Sequence, residues 1–369
     1  MSDDIAKLNL LNLNRSSIIR LVERLGESPS AGNRLIRAIH KQGIVDFFAM
    51  SDLSKNFQNK LNDIAEIVVP TVIKDQTSED GTRKWLLQLD GGNAIEMVFI
   101  PEANRGTLCI SSQIGCALNC SFCSTGKQGF NRDLSLAEII GQLWIATRHL
   151  SPQGLDKQRV ITNVVMMGMG EPLLNYQPVV DAMDWMLCDD SYGLSKYRVT
   201  LSTSGVIPKI EQLKKDSPVS LAISLHAPTN DLRTQLVPLN KKYPLEQLIP
   251  VCRNYFPENS KQSVLFEYVM LDGVNDSLEH AAELIALLQG VTCKINLIPF
   301  NPFPGTTYRV SSCEAIDAFH AALVNAGFQT RVRRRRGDRI DAACGQLAGQ
   351  FYDRTGRKVR LTRKNAVIH

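Results

Sequence analysis

From Gly106 onward, strand-length apolar runs alternate with amphipathic helical runs, and few architectures accept that order. Strands are expected near 107–112, 161–167, 198–202, 219–225, 264–270 and 294–299, and helices near 136–149, 178–187, 207–214, 245–254, 278–288 and 313–325. The strands are almost continuously apolar rather than alternating, which is the pattern of a parallel sheet covered on both faces. Ser135 with Glu138, Asp276 with Glu279 and Ser311 with Glu314 have capping-box spacing, and Pro244 suits a first helical turn. Six such units fall short of a closed eightfold barrel. The predicted fold class is therefore α/β, an open, partial (β/α)6 barrel.

The residues before this core read differently. Ile18, Leu21, Val22 and Leu25 follow Ser16 and Ser17 at helical spacing, Leu35, Ile36 and Ile39 precede Gly43, and Phe57, Leu61 and Ile64 follow Ser54. Three extended runs come next, at 68–74, 84–89 and 94–100, with glycine turns between them that predict a small antiparallel sheet. The expected division is an N-terminal α+β accessory domain (1–100), a core barrel (101–340) and a C-terminal segment (341–369).

Charge is distributed unevenly along the chain. From Arg331 to the end there are 12 Lys and Arg against 3 Asp, a local +9, whereas the whole chain carries +5 and the remainder therefore −4. A basic end on a mildly acidic body points to a polyanion, and the excess of Arg over Lys suits phosphate; a solvated tail is the alternative. No run approaches the roughly 18 apolar residues of a membrane span. The acidic start, Met1-Ser-Asp-Asp, lacks the apolar core of a secretory signal. A cytoplasmic location with reduced thiols is expected, and nine cysteines, an odd number, argue against a disulfide framework.

In folds of this kind, functional residues collect at the C-terminal ends of the strands. The distinctive segments fall there. Cys116, Cys120 and Cys123 follow the first strand in a C-x3-C-x2-C spacing, and Gly168-Met-Gly-Glu-Pro172 follows the second. Ser202-Thr-Ser-Gly205, Ser224-Leu-His226 and Asn301 end three more. Three thiolates in one loop can hold three irons of a cubane cluster, and the fourth iron, which usually takes a fourth cysteine, stays open for chemistry. A zinc knuckle is the competing reading, but it would leave the β-α context and the Gly-Glu-Pro segment unexplained.

These segments, together with Arg335-Arg-Gly-Asp338 and Ala343-Cys344-Gly345, resemble the RlmN/Cfr family of radical S-adenosylmethionine (SAM) RNA adenine methyltransferases over nearly the whole barrel. The resemblance implies that Cys116, Cys120 and Cys123 hold a [4Fe–4S] cluster whose open iron is chelated by SAM. It assigns Gly170, Glu171, Ser202, Ser224, Leu225, His226 and Asn301 to SAM contacts. It implies two SAM molecules per turnover: one methylates Cys344, and the other yields a 5′-deoxyadenosyl radical that activates the S-methyl group for addition to adenine. Cys109 would then release the product by thiol–disulfide exchange, and Glu96 would remove the ring proton. Arginines around Cys344 favour its thiolate.

Glu96 by itself could equally be a charge on an edge strand that blocks aggregation. Cys188, Cys252, Cys293 and Cys313 read as buried structural thiols. The resemblance further implies 23S rRNA and tRNA as substrates, methylated at adenine C2, with a flavodoxin-type electron donor, no membrane association and a monomeric protein. A C8-methylating, antibiotic-resistance enzyme and a non-catalytic RNA-binding metal protein are the alternatives. The target base must be unstacked to reach such a pocket.

Overall fold

The computed structural model describes residues 7–152, 159–333, 337, 340, 342 and 345–349; Cys344 and most of the basic C-terminal segment lie outside them. One sheet of ten strands organises these residues: β1 (Thr71–Thr77), β2 (Arg83–Gln88), β3 (Ala94–Glu102), β4 (Arg105–Cys109), β5 (Asn163–Met166), β6 (Val199–Thr203), β7 (Ser220–Ser224), β8 (Val264–Met270), β9 (Cys293–Pro299) and β10 (Gln329–Val332). Neighbours in space are neighbours in sequence. Strands β4 to β10 are mutually parallel, and helices connect them, which is the expected open (β/α)6 barrel with one further strand. That strand, β10, has no counterpart in the sequence reading. Its Gln-Thr-Arg-Val residues lie half-buried to exposed at the sheet edge, so no apolar run marks them.

The antiparallel strands expected of 68–100 do not form a sheet of their own. β1, β2 and β3 continue the barrel sheet, because β3 pairs antiparallel with β4 and so covers the open edge of the parallel array. Glu96 therefore lies on an interior strand, hydrogen-bonded on both sides, and the edge-charge reading of it falls.

The N-terminal helices Arg15–Arg24, Pro29–Arg37 and Lys55–Ile64 are capped by the side chains of Asn14, Ser28 and Ser54. Their apolar faces join the barrel in one continuous core, in which Phe57 and Trp185 are buried. Burial of each such side chain is worth about 1.5–3 kcal/mol. Two indoles fix the contact: Trp185 Nε1 donates to Leu13 O at 3.1 Å and Trp144 Nε1 to Ile39 O at 2.9 Å.

The Ser135–Glu138 capping box forms in full. The other two helix starts move by one residue: Ser277 caps Leu278–Leu288, and Ser312 caps Cys313–Asn325. Asp276 instead accepts from the Gly273 N–H, and that competing turn leaves the cap to the serine. Among the described residues no helix is long and apolar enough to cross a membrane.

Candidate active site

The three-cysteine loop is held open by a short antiparallel pair, Gln113–Gly115 with Phe130–Asp133, and runs into the helix Ser124–Gln128. Backbone bonds set its shape: Cys116 N–H donates to Gly129 O at 3.0 Å and Cys123 N–H to Cys120 O at 3.2 Å. The loop closes over the C-terminal ends of β5 to β8. One pocket results, lined by Cys116, Cys120 and Cys123 together with Gly170, Glu171, Ser202, Ser224 and His226, and also by Gly345.

The Gly-Met-Gly-Glu segment packs against the loop through backbone contacts that need glycine. Gly170 has φ 99°, and a Cβ there would come within 2.8 Å of the Gln113 amide nitrogen. The Gln113 side chain joins the two segments, donating to Asp133 Oδ1 at 2.7 Å and accepting from the Glu171 N–H at 2.8 Å. Glu171 is buried, and its carboxylate accepts from the N–H groups of Leu173 (3.1 Å) and Ser204 (2.8 Å). Burial raises its pKa, opposed by those hydrogen bonds.

His226 has a left-handed backbone, φ 62°, and its Nδ1 accepts from the Val269 N–H at 3.0 Å. A backbone N–H can only donate, so the imidazole proton sits on Nε2. Burial, with the charge of Arg233, lowers the His226 pKa to about 3, which keeps the ring neutral. Its ring packs edge-on against Phe122 at 4.5 Å.

Other expected site residues lie elsewhere. Leu225 is fully buried behind the pocket, where its N–H donates to Glu267 O at 3.0 Å. Asn301 is buried and lines an adjoining cavity that shares Met167 and Ile298 with the pocket. Cys109 ends β4, opposite Val98 and Val165. Glu96 Oε1 pairs with Lys84 Nζ at 2.9 Å, and its Oε2 accepts from the Ala348 N–H at 2.9 Å. Cys344 lies outside the described residues, but its neighbour Gly345 is held to the loop. Of the four cysteines expected to be structural, Cys252 is buried, Cys188 and Cys293 are half-buried and Cys313 is exposed, since it opens a helix at the surface.

Sequence reasoning missed Glu267. It lines the pocket, is buried, accepts from Asn296 Nδ2 at 2.8 Å and faces Arg333 at 3.7 Å; burial raises its pKa. A single carboxylate in the otherwise apolar Val264–Met270 strand was the available signal.

A thiol loop and a polar, glycine-braced pocket over the strand ends of an open parallel barrel define the radical SAM fold, and residues 110–285 match the model of the Radical SAM superfamily. Residues 8–67 match the Ribosomal RNA large subunit methyltransferase N-terminal domain. The crystal structure of a radical SAM methyltransferase from Sphaerobacter thermophilus is 38% identical, covers 92% of this chain and 99% of its own, and superposes with a TM-score of 0.85. Streptococcus suis SuiB bound to S-adenosylmethionine is far more distant, 14% identical over 65% of this chain and 53% of its own, with a TM-score of 0.43. The chain belongs to the RlmN/Cfr family of radical SAM RNA methyltransferases.

The superfamily implies a [4Fe–4S] cluster and SAM, and the donor set fits them. The three thiols border the pocket but are otherwise enclosed by protein, and burial pushes Cys116 up to about 12 and raises Cys120 and Cys123 as well. Thiols so placed become thiolates only against a strong local cation, which iron provides.

Proposed function

We propose that this protein methylates C2 of adenine 2503 in 23S rRNA and of adenine 37 in tRNA. The observation that carries the proposal is the docking of the segment after Cys344 against the cysteine loop: Gly345 lines the pocket and accepts from the Ser124 N–H at 2.8 Å. A methyl-carrying thiol needs that placement, and a purely structural metal site does not.

Cys116, Cys120 and Cys123 would hold the cluster, and Gly170, Glu171, Ser202, Ser224, Leu225, His226 and Asn301 would shape the SAM site. When bound, cluster and SAM supply a 5′-deoxyadenosyl radical able to abstract hydrogen from an unactivated methyl group. Radical chemistry is required because adenine C2 is electron-poor and offers no lone pair for direct methyl transfer. The Cys344 thiolate would attack the methyl carbon of one SAM, releasing S-adenosylhomocysteine, and would present the resulting S-methyl group to the base. The Cys109 thiolate would attack the Cys344 sulfur after transfer; the sulfur–carbon bond breaks, its electron pair goes to the methylene carbon, which takes up a proton to become methyl, and the RNA is freed as a disulfide is left. Glu96 accepts the ring proton; the hydrogen bond from Ala348 places its carboxylate beside the Cys344 segment.

Residues 1–100 would serve as the accessory RNA-contacting part, 101–340 as the core and 341–369 as the methyl-carrier segment. A flavodoxin-type protein would supply electrons to a cytoplasmic monomer. Mass spectrometry of RNA after anaerobic turnover with SAM tests the proposal. 2-Methyladenine is expected, whereas 8-methyladenine or unmodified RNA would overturn it.

A further inference from the structure

We propose that Arg233 is the buried counter-charge of the cysteine loop and the residue that positions the strand ends around it. This rests on the loop holding an iron–sulfur cluster. Arg233 lies on the short helix Asn230–Leu236 and is fully buried, 0% exposed. Its guanidinium donates to four acceptors: Nε to Leu225 O at 3.2 Å, Nη1 to Asn240 Oδ1 at 2.9 Å, and Nη2 to Ser204 O at 2.7 Å and Ser224 O at 3.2 Å. These bonds tie the end of β6 to the end of β7, the two strand ends that bring Ser204 and Ser224 to the pocket.

All four acceptors are neutral. A buried charge is costly unless it is both hydrogen-bonded and paired with an opposite charge, and no carboxylate is among these hydrogen-bond partners. The same helix grips the cysteine loop, since Leu236 O accepts from the Ser121 N–H at 3.0 Å, between Cys120 and Cys123. Cys120 and Phe122 pack on the apolar group that contains Leu236. Burial lowers the Arg233 pKa to about 10, so the side chain stays charged at neutral pH, and the negative forms of Cys120 and Cys252 act on it in the opposite sense. Burial pushes the Cys252 thiol up to about 12 and so keeps it neutral, which leaves Cys120, in the loop this helix grips, and the cluster it would hold as the charge that answers Arg233. A cluster on three thiolates is anionic and becomes more so on taking an electron, and net charge around such a cluster sets its potential. A fixed cation at low dielectric favours the reduced form. The planar fork of Arg, rather than the point charge of Lys, reaches several carbonyls at once.

The test uses the full-length, anaerobically reconstituted protein and three readouts: iron per chain, cluster midpoint potential and SAM affinity. In R233Q the midpoint should become more negative and SAM affinity should fall at least tenfold. R233K should keep a midpoint near that of wild type yet lose SAM affinity, because an ammonium cannot span both strand ends. N240D sets a carboxylate against the guanidinium without removing it, so its midpoint should fall as in R233Q; this variant decides the matter if R233Q does not fold. A wild-type midpoint in N240D or R233Q would overturn the counter-charge, and wild-type SAM affinity in R233K would overturn the positioning. Failure of the wild-type protein itself to bind iron would instead refute the cluster.

Discussion

Ser124 N–H donates to Gly345 O at 2.8 Å, joining the residue after Cys123 to the residue after Cys344. The junction continues on both sides. Thr125 Oγ1 donates to Leu347 O at 2.6 Å, the Gln128 side chain donates to Ala348 O, and the Ala348 N–H returns to Glu96. Gln346 Nε2 adds a bond to Pro302 O at 2.8 Å. A segment more than two hundred residues away in sequence is thus clasped by the helix that follows the cysteine loop.

Removing one clasp should loosen the segment proposed to carry the methyl group without unfolding the protein. Thr125→Val keeps the shape of a buried side chain but deletes its hydrogen bond, at a cost of about 1 kcal/mol. Alkylation of Cys344, followed by peptide mass spectrometry, should speed up several-fold, and RNA methylation should slow about fivefold, as a loss of about 1 kcal/mol in placement implies. Unchanged alkylation and turnover would show that the clasp does not position Cys344.

Cys109→Ala should stop the reaction one step from its end. Methyl transfer would still join RNA to Cys344, but no second thiolate would release it. A covalent protein–RNA species should accumulate on denaturing gels in the presence of SAM and reductant. Release of free methylated RNA at the wild-type rate would remove Cys109 from the mechanism.

Much of this architecture was legible beforehand, for reasons that can be named. Strand Val264–Met270 and helices Leu278–Leu288 and Cys313–Asn325 match the sequence reading end to end, because the strand is a nearly unbroken apolar run, the helices have strong periods, and glycine or serine bounds them. The polar motifs fall at strand ends as expected. β10 was not legible, because an edge strand of polar residues carries no apolar pattern. The antiparallel strands could be seen individually, but their pairing with β4 could not, since pairing depends on which edges are left open. The clasp of Thr125 and Gln128 on 345–349 leaves no local trace, and neither does the burial of Arg233, whose short helix Asn230–Leu236 lies outside the expected helices.

The N-terminal helices carry their own pH dependence. His40 is buried against Trp185 and Tyr192, and burial lowers its pKa to about 3. Between pH 6.5 and about 3 the unfolded chain binds a proton that the folded one excludes, so its contribution to stability is present above this window and is lost as pH falls through it. The slope reaches about 1.4 kcal/mol per pH unit for one group. Chemical denaturation of wild type and His40→Phe should give stability differences that change with pH across that window. Parallel curves would mean that His40 titrates alike in both states.

The central claim is that Cys116, Cys120 and Cys123 hold a redox-active cluster rather than a structural ion. Metal analysis of the anaerobically reconstituted protein, with spectroscopy before and after reduction, tests it most directly. A brown protein with about four irons per chain is expected, with a signal that appears on one-electron reduction and changes when SAM is added. A colourless protein with one zinc per chain and no iron would contradict it.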